Sequence, residues 1–385
     1  MTTSLAADRP GAAAPTAPTG PAVPTPAAAS SGLAYLPPNW FAAVMGTGIV
    51  AVAAAGLPVQ FPGLRAFAIL MWAIAALLLV VLTVATAVHW RHHPATARGY
   101  LSHPVLGHFY GAPPMALMTV GAATLLLGQH ILGARLALDV DWTLWSAGTL
   151  LGLMAFAWIP YRTSAGRAKV AFGGWLMPVV PPMVSASTGA LLIPHAPTAS
   201  VRIALLIGCY TMFTIALVGS AVVIALICLR LGRHGPPPPQ LVPTLWIVLG
   251  PLGQSVTAAN LLGGDARRLL SAGPGAALQA FGLSYAVPAL GFALLWSVIA
   301  GRITYRTARP GLPFAMTWWS FTFPLGTCVT ALSGLSLRTH VGWLGDGAAL
   351  LFLVLVAAWL LVASKTASGL REGRLLQAPA SQPAP

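Results

Sequence analysis

Of 385 residues only 6 are Asp or Glu, and the four charged residue types together make up 7% of the chain. A soluble domain is about a quarter charged, so there is too little charge here to cover a surface in water. Cysteine is almost as scarce. Cys209, Cys228 and Cys328 stand singly in apolar runs, without the paired spacing of a metal site or a disulfide framework, and read as small buried hydrophobes. Ser and Thr are plentiful, but no Ser/His/Asp set falls at one depth, so no catalytic residues are expected.

What is present is apolar. Hydrophobic residues make up 57% of the chain and the mean hydropathy is +0.80. The basic excess, a formal net charge of +14, lies in short connectors between apolar runs. A continuous basic patch would suggest nucleic acid; scattered connector charges suggest a bilayer. Residues 1–33 are almost entirely Ala, Pro, Thr, Ser and Gly, and 366–385 are similar, so both read as disordered tails around a transmembrane domain at 34–365.

Ten segments within that domain are long enough to span a bilayer. They run at about 36–56, 66–90, 105–130, 142–161, 172–194, 201–231, 241–264, 276–301, 313–336 and 342–364, the third and seventh being the least hydrophobic. With the amino terminus in the cytoplasm, 14 of the 20 Lys and Arg fall inside and 6 outside, and every loop after an even-numbered span is on the basic side. That asymmetry fits ten spans with both termini cytoplasmic.

The spans alternate in kind. The third carries Pro113, Pro114, Met118 and Gly121, and the fifth Pro178, Pro181, Pro182 and Gly189. The seventh carries Gly250, Pro251 and Gly253, the ninth Pro324, Gly326 and Gly334, and the first Gly46, Thr47 and Gly48. Among the even spans only the eighth has a clear interior proline, Pro288. Irregular backbone at membrane depth is tolerated where it is buried in protein or borders a cavity. The pattern predicts five helical hairpins whose broken members line something central. At 100° per residue, small and mildly polar stripes share one face on three odd spans. These are Pro178, Pro182, Ser185 and Gly189; Gly250, Gln254, Thr257 and Asn260; and Ser320, Phe323, Thr327 and Thr330. Close helix contact through small residues is the alternative use of any one such stripe.

No Asp, Glu, Lys or Arg falls within any of these span cores. Ion-coupled carriers usually keep an ionisable group in the membrane, whereas helix N-termini exposed at proline and glycine breaks favour anions. Five histidines (His89, His92, His93, His103 and His108) cluster around the second connector. They admit a histidine-rich metalloenzyme, although no carboxylate accompanies them; interfacial placement is the plainer reading.

Four motifs in order, "PPNWFAAVMGTGIVA" at 37–51, "WLMPVVPPMVSASTGALL" at 175–192, "LWIVLGPLGQS" at 245–255 and "WWSFTFPLGT" at 318–327, resemble the tellurite-resistance/dicarboxylate transporter family. That family includes malate transporters, sulfite exporters and the slow-type anion channels. The resemblance implies an all-α membrane protein, ten helices in a quasi-fivefold ring around an uncharged pore, and a homotrimer. It also implies that Phe323, beside Pro324, blocks conduction. Export of sulfite or C4-dicarboxylates such as malate across the plasma membrane is the expected activity. Proton-coupled dicarboxylate uptake is the alternative. The expected partners are small inorganic or carboxylate anions and the lipid bilayer, with no cofactor, metal or nucleic acid.

Overall fold

The structure, a computed structural model, describes residue 2 and residues 32–164 and 171–377, without the side chains of 161–164. Most of the expected amino-terminal tail, the connector with Arg167 and Lys169, and residues 378–385 lie outside the described residues. In chain order the helices are α1 (Phe41–Ala55), α2 (Leu64–His92), α3 (Pro94–Ser102) and α4 (Ala112–Leu127). They continue with α5 (Gln129–Leu132), α6 (Ala134–Ser164), α7 (Pro181–Leu192) and α8 (Ala199–His234). The last are α9 (Leu249–Leu269), α10 (Ala272–Ala308), α11 (Phe323–Thr339) and α12 (Gly342–Arg371). Residues 366–371, expected in the carboxyl-terminal tail, lie within α12, which runs through Arg371.

Among the described residues, 9 helices are long and apolar enough to cross a membrane. The expected fifth span, 172–194, is not among them: it is divided into a 3-10 turn, Gly173–Leu176, and the 12-residue α7. Burial sorts the nine into two classes. The spans containing α1, α4, α9 and α11 are 72–89% buried, and those of α2, α6, α8, α10 and α12 only 22–33%. Large aliphatics such as Leu77, Val80, Val287 and Leu294 are exposed on the second class, the surface that lipid covers.

The short helices form a closed circuit of contacts. α1 packs on α4, α4 on α7, α7 on α9, α9 on α11, and α11 returns to α1. Each follows a 3-10 stretch: Pro38–Trp40, Leu106–Gly111, Gly173–Leu176, Pro239–Val248 and Met316–Phe321. These five stretches also touch in sequence, the last meeting the first. Pro113, Pro181 and Pro324 stand in the first turn of the α-helix that follows, where a missing N–H breaks no bond. The prolines expected to break helix interiors thus mark a change of helix type.

Backbones approach closely at the joints. A Cβ on Gly253 would sit 2.6 Å from the Thr327 carbonyl carbon of α11, and one on Gly111 would overlap the Met177 carbonyl. Tryptophan indoles tie the outer helices to the inner ones. Trp72 of α2 donates to Thr124 of α4 at 2.9 Å, Trp145 of α6 to the Ser185 carbonyl at 3.0 Å, and Trp359 of α12 to Thr47 of α1 at 2.9 Å. The described chain ends also meet, since the Gly32 N–H donates to the Leu376 carbonyl at 3.4 Å.

Gly253→Ala forces α9 and α11 apart or shifts the Thr327 backbone, at a cost of about 1–3 kcal/mol. The expected result is a lower thermal midpoint in detergent than for Gly250→Ala, a position with open space around its Cα.

Candidate functional site

Two cavities lie inside the circuit, one toward the amino-terminal ends of the five short helices and one toward their carboxyl-terminal ends. The proximal cavity is small, about 20 Å³, between apolar walls that include Met45, Phe109, Met115, Met177 and Ile247. The distal one is larger, about 210 Å³, and its wall is mixed. Every short helix, or the turn before it, contributes to both. Phe323, 3% exposed at the start of α11, is the residue that borders both. It is also where the 3-10 stretch Met316–Phe321 gives way to α-helix, so the change of helix type sets the direction of its side chain.

The structure places the expected pore residues in two groups. Gly250, Ser320 and Pro324 join Phe323 on the proximal wall, and Gln254, Thr257 and Thr330 line the distal one. All of these belong to α9, α11 or the turn before α11. Thr327 shares their stripe but faces α9, donating to the Pro324 carbonyl at 2.7 Å and the Leu249 carbonyl at 3.3 Å.

The residues chosen on the other short helices point elsewhere. Ser185 meets Thr149 of α6 at 2.5 Å, and a Cβ on Gly189 would press on Trp145 and Cys209. Pro178 lies against Gly111, and Pro182 is buried but lines neither cavity. Pro114 and Met118 face Gly148 on α6. Gly46 receives Trp319, Thr47 accepts from Trp359, and Gly48 receives Thr119. The reason is steric. Small residues let helix backbones approach, so they are consumed at helix–helix contacts, and the bulkier neighbours face the cavity. Val180, Val184, Ser187 and Leu191 do so around α7, and Met45, Ile49 and Val52 on α1.

Among the described residues no charged side chain lines either cavity. The helix N-termini are less available to anions than expected, because the preceding 3-10 turns occupy cap N–H groups. Ala112 donates to the Phe109 carbonyl, Leu249 to those of Ile247 and Trp246, and Thr322 to that of Trp319. The distal wall does hold hydrogen-bonding capacity that sequence reasoning used only in part. Gln254 Oε1, Asn260 Oδ1 and Ser333 Oγ are buried without a partner among the described residues.

Carboxylates do enter the helices, contrary to expectation. α6 starts at 134 rather than 142, which takes Asp141 inside it, fully buried, with neither oxygen bonded among the described residues. Gly121 of α4 leaves the room for it: a Cβ there would lie 2.5 Å from Asp141 Oδ1. Asp265 lies in the last turns of α9 and pairs with Arg268 at 3.4 Å. The histidines near the second connector are dispersed in structural roles. His89 Nδ1 lies 2.7 Å from the Leu33 carbonyl, and His108 stacks on Trp175. His103 Nδ1 accepts from the Val105 and Leu106 N–H groups at 3.1 Å each, and burial holds its pKa below the ordinary value. Among the described residues no three His, Cys, Asp or Glu side chains converge as a metal site.

A ring of short apolar helices around a divided, uncharged cavity, sheathed by long lipid-facing helices, is the architecture of a multi-pass membrane transporter or channel. The profile of the voltage-dependent anion channel (SLAC1) family matches residues 35–367, and the chain belongs to that family. The sulfite efflux pump SSU1 of Arthroderma otae is 28% identical over 349 residues, 86% of this chain and 89% of that protein. An uncharacterized transporter of Methanocaldococcus jannaschii is 28% identical over 295 residues, 76% of this chain and 82% of its own length. A second transporter from that archaeon is 25% identical over 346 residues, 88% of this chain and 96% of its own.

Single cysteines test the division of the cavity once Cys228, the exposed native thiol, is replaced. In vesicles, Ser320→Cys is expected to react with a small impermeant thiol reagent from one face only and Thr330→Cys from the other. Reaction of both from a single face in otherwise wild-type protein contradicts a closed partition at Phe323.

Proposed function

We propose that this chain is a plasma-membrane transporter or channel that exports sulfite or C4-dicarboxylates such as malate. In this reading the divided segment at 172–194 completes ten spans about a quasi-fivefold axis, both termini are cytoplasmic, and the protein assembles as a homotrimer. The two cavities form one path, and Phe323 closes it. One observation carries the proposal: a single bulky aromatic side chain borders both cavities. The uncharged walls suit anions that bind weakly enough to leave. The relatives named as sulfite efflux pumps favour sulfite over the dicarboxylates.

The sequence of events follows from the walls. An anion reaching the proximal cavity meets apolar side chains and Ser320, a setting that raises the barrier while Phe323 remains in place. Displacing the ring joins the proximal space to the polar distal wall, where hydroxyls and amides replace part of the hydration shell. Net flux then follows the electrochemical gradient.

A second reading, proton-coupled dicarboxylate uptake, draws on Asp141. Its carboxyl, buried and without a partner among the described residues, is the kind of intramembrane group that proton-linked carriers retain. On that reading Asp141→Asn abolishes the dependence of flux on a pH gradient.

Proteoliposomes of purified protein separate the readings. Phe323→Ala is expected to raise anion flux on the order of tenfold or more by removing the steric block, with sulfite ahead of malate. Equal flux in Phe323→Ala and wild type contradicts occlusion by this residue.

A further inference from the structure

The distal cavity carries more chemistry than an inert path requires. Most of its hydroxyls are spent on their own helices: Thr119 donates to the Met115 carbonyl at 2.7 Å, Thr188 to that of Val184 at 2.8 Å, and Thr330 to that of Thr327 at 3.0 Å. Thr257 is spent between the Gly253 carbonyl and Thr330 Oγ1. What remains unbonded among the described residues is Gln254 Oε1, Asn260 Oδ1 and Ser333 Oγ, on side chains of residues 5%, 5% and 2% exposed. All three line this cavity. Buried polar atoms without a partner are rare and costly, at about 1–3 kcal/mol each, and three on residues that line one space point to a ligand.

The orientation of Gln254 is set by its neighbour. Ser187 has one hydroxyl hydrogen, and it is donated to the Val184 carbonyl at 2.9 Å. Toward Gln254 that oxygen can only accept, so the amide nitrogen must face it, and Gln254 Nε2 does donate to Ser187 Oγ. The amide oxygen is thereby held as the free acceptor of a side chain that lines the cavity. A fully deprotonated anion meets this oxygen with repulsion. An anion that still carries one acidic O–H meets it with a hydrogen bond, while the Ser333 hydroxyl is available to donate to another of its oxygens.

We propose that the distal cavity is a binding step for a small oxyanion bearing one proton, hydrogensulfite or a half-protonated dicarboxylate, with Gln254 accepting its O–H and Ser333 donating to it. This rests on the reading of the cavities as an anion path. Selectivity then arises from an acceptor held in place by Ser187 rather than from a cation. Nitrate and chloride, which carry no such proton near neutral pH, gain nothing from Gln254.

The test uses proteoliposomes of the full chain in the Phe323→Ala background, comparing sulfite, malate and nitrate at mildly acidic and mildly alkaline pH. Gln254→Leu is expected to lower the sulfite-to-nitrate flux ratio by at least about tenfold at acidic pH, as when a site built to bond a hydroxyl loses its partner. Ser187→Ala, a smaller change that releases the amide to turn, is expected to lower the same ratio by raising nitrate flux. The ratio in the parent falls as pH rises and the oxyanion loses its proton. A larger loss for malate than for sulfite in Gln254→Leu assigns the step to the dicarboxylate, and the reverse assigns it to hydrogensulfite. Ratios unchanged in both variants, with flux retained, overturn the binding step and leave the anion path standing. No flux of any anion from the parent or the wild type overturns both.

Discussion

Everything in the interior depends on the contact of five 3-10 turns with one another. These turns precede α1, α4, α7, α9 and α11 and touch in sequence until the last meets the first. A 3-10 turn is narrower than an α-turn and rises further per residue, so five of them can crowd together where five α-helices would leave a wider gap. Gly111 over the Met177 carbonyl and Gly173 over that of Thr244 show how close the backbones come. Beyond this collar the α-helices have room to separate, and the mixed distal cavity lies between them. Phe323 stands at the change from one helix type to the other, which is why one side chain borders both spaces.

The outer helices are held by another kind of bond. In lipid, apolar side chains have little reason to prefer a neighbouring helix over a lipid tail, so packing and a few hydrogen bonds decide position. Indoles supply several of these: Trp72 to Thr124, Trp145 to the Ser185 carbonyl, Trp296 to the Leu245 carbonyl and Trp359 to Thr47. Each joins a long outer helix to a short inner helix or the turn before it. An indole suits the task because it buries a large apolar body and has one donor to place.

Much of this was legible in the sequence, and the rest was hidden for identifiable reasons. The apolar runs and the alternation of Pro- and Gly-rich spans with intact ones anticipated two classes of helix. The fifth segment was counted as one span because hydropathy averages over the break between Leu176 and Pro181, and helix length does not. On α9 and α11 the polar stripe did face the cavity, because Gln254, Thr257 and Thr330 are too large to serve only as spacers. On α7 the stripe of Ser185 and Gly189 turned to α6 and α8, where small size is consumed by packing. Met118 followed the same rule from the other side, filling space opposite Gly148. The apolar lining of Met45, Met115 and Ile247 carried no signal, since a hydrophobe in a hydrophobic span looks the same wherever it points. Asp141 was missed because helix α6 begins in a polar-looking stretch that tertiary contacts bury.

A circuit made from one linear chain has one joint that no peptide bond closes. Here that joint lies between α12 and α1, and it is fastened by Trp359 on Thr47 and the Gly32 N–H on the Leu376 carbonyl. Gly32 and Leu376 thus lie side by side at the joint, and α1 there receives Trp319 against Gly46. Topologically, the choice of where this chain starts is arbitrary. Linked ends and a cut in another connector would yield the same circuit, with its weakest point moved to a different pair of helices.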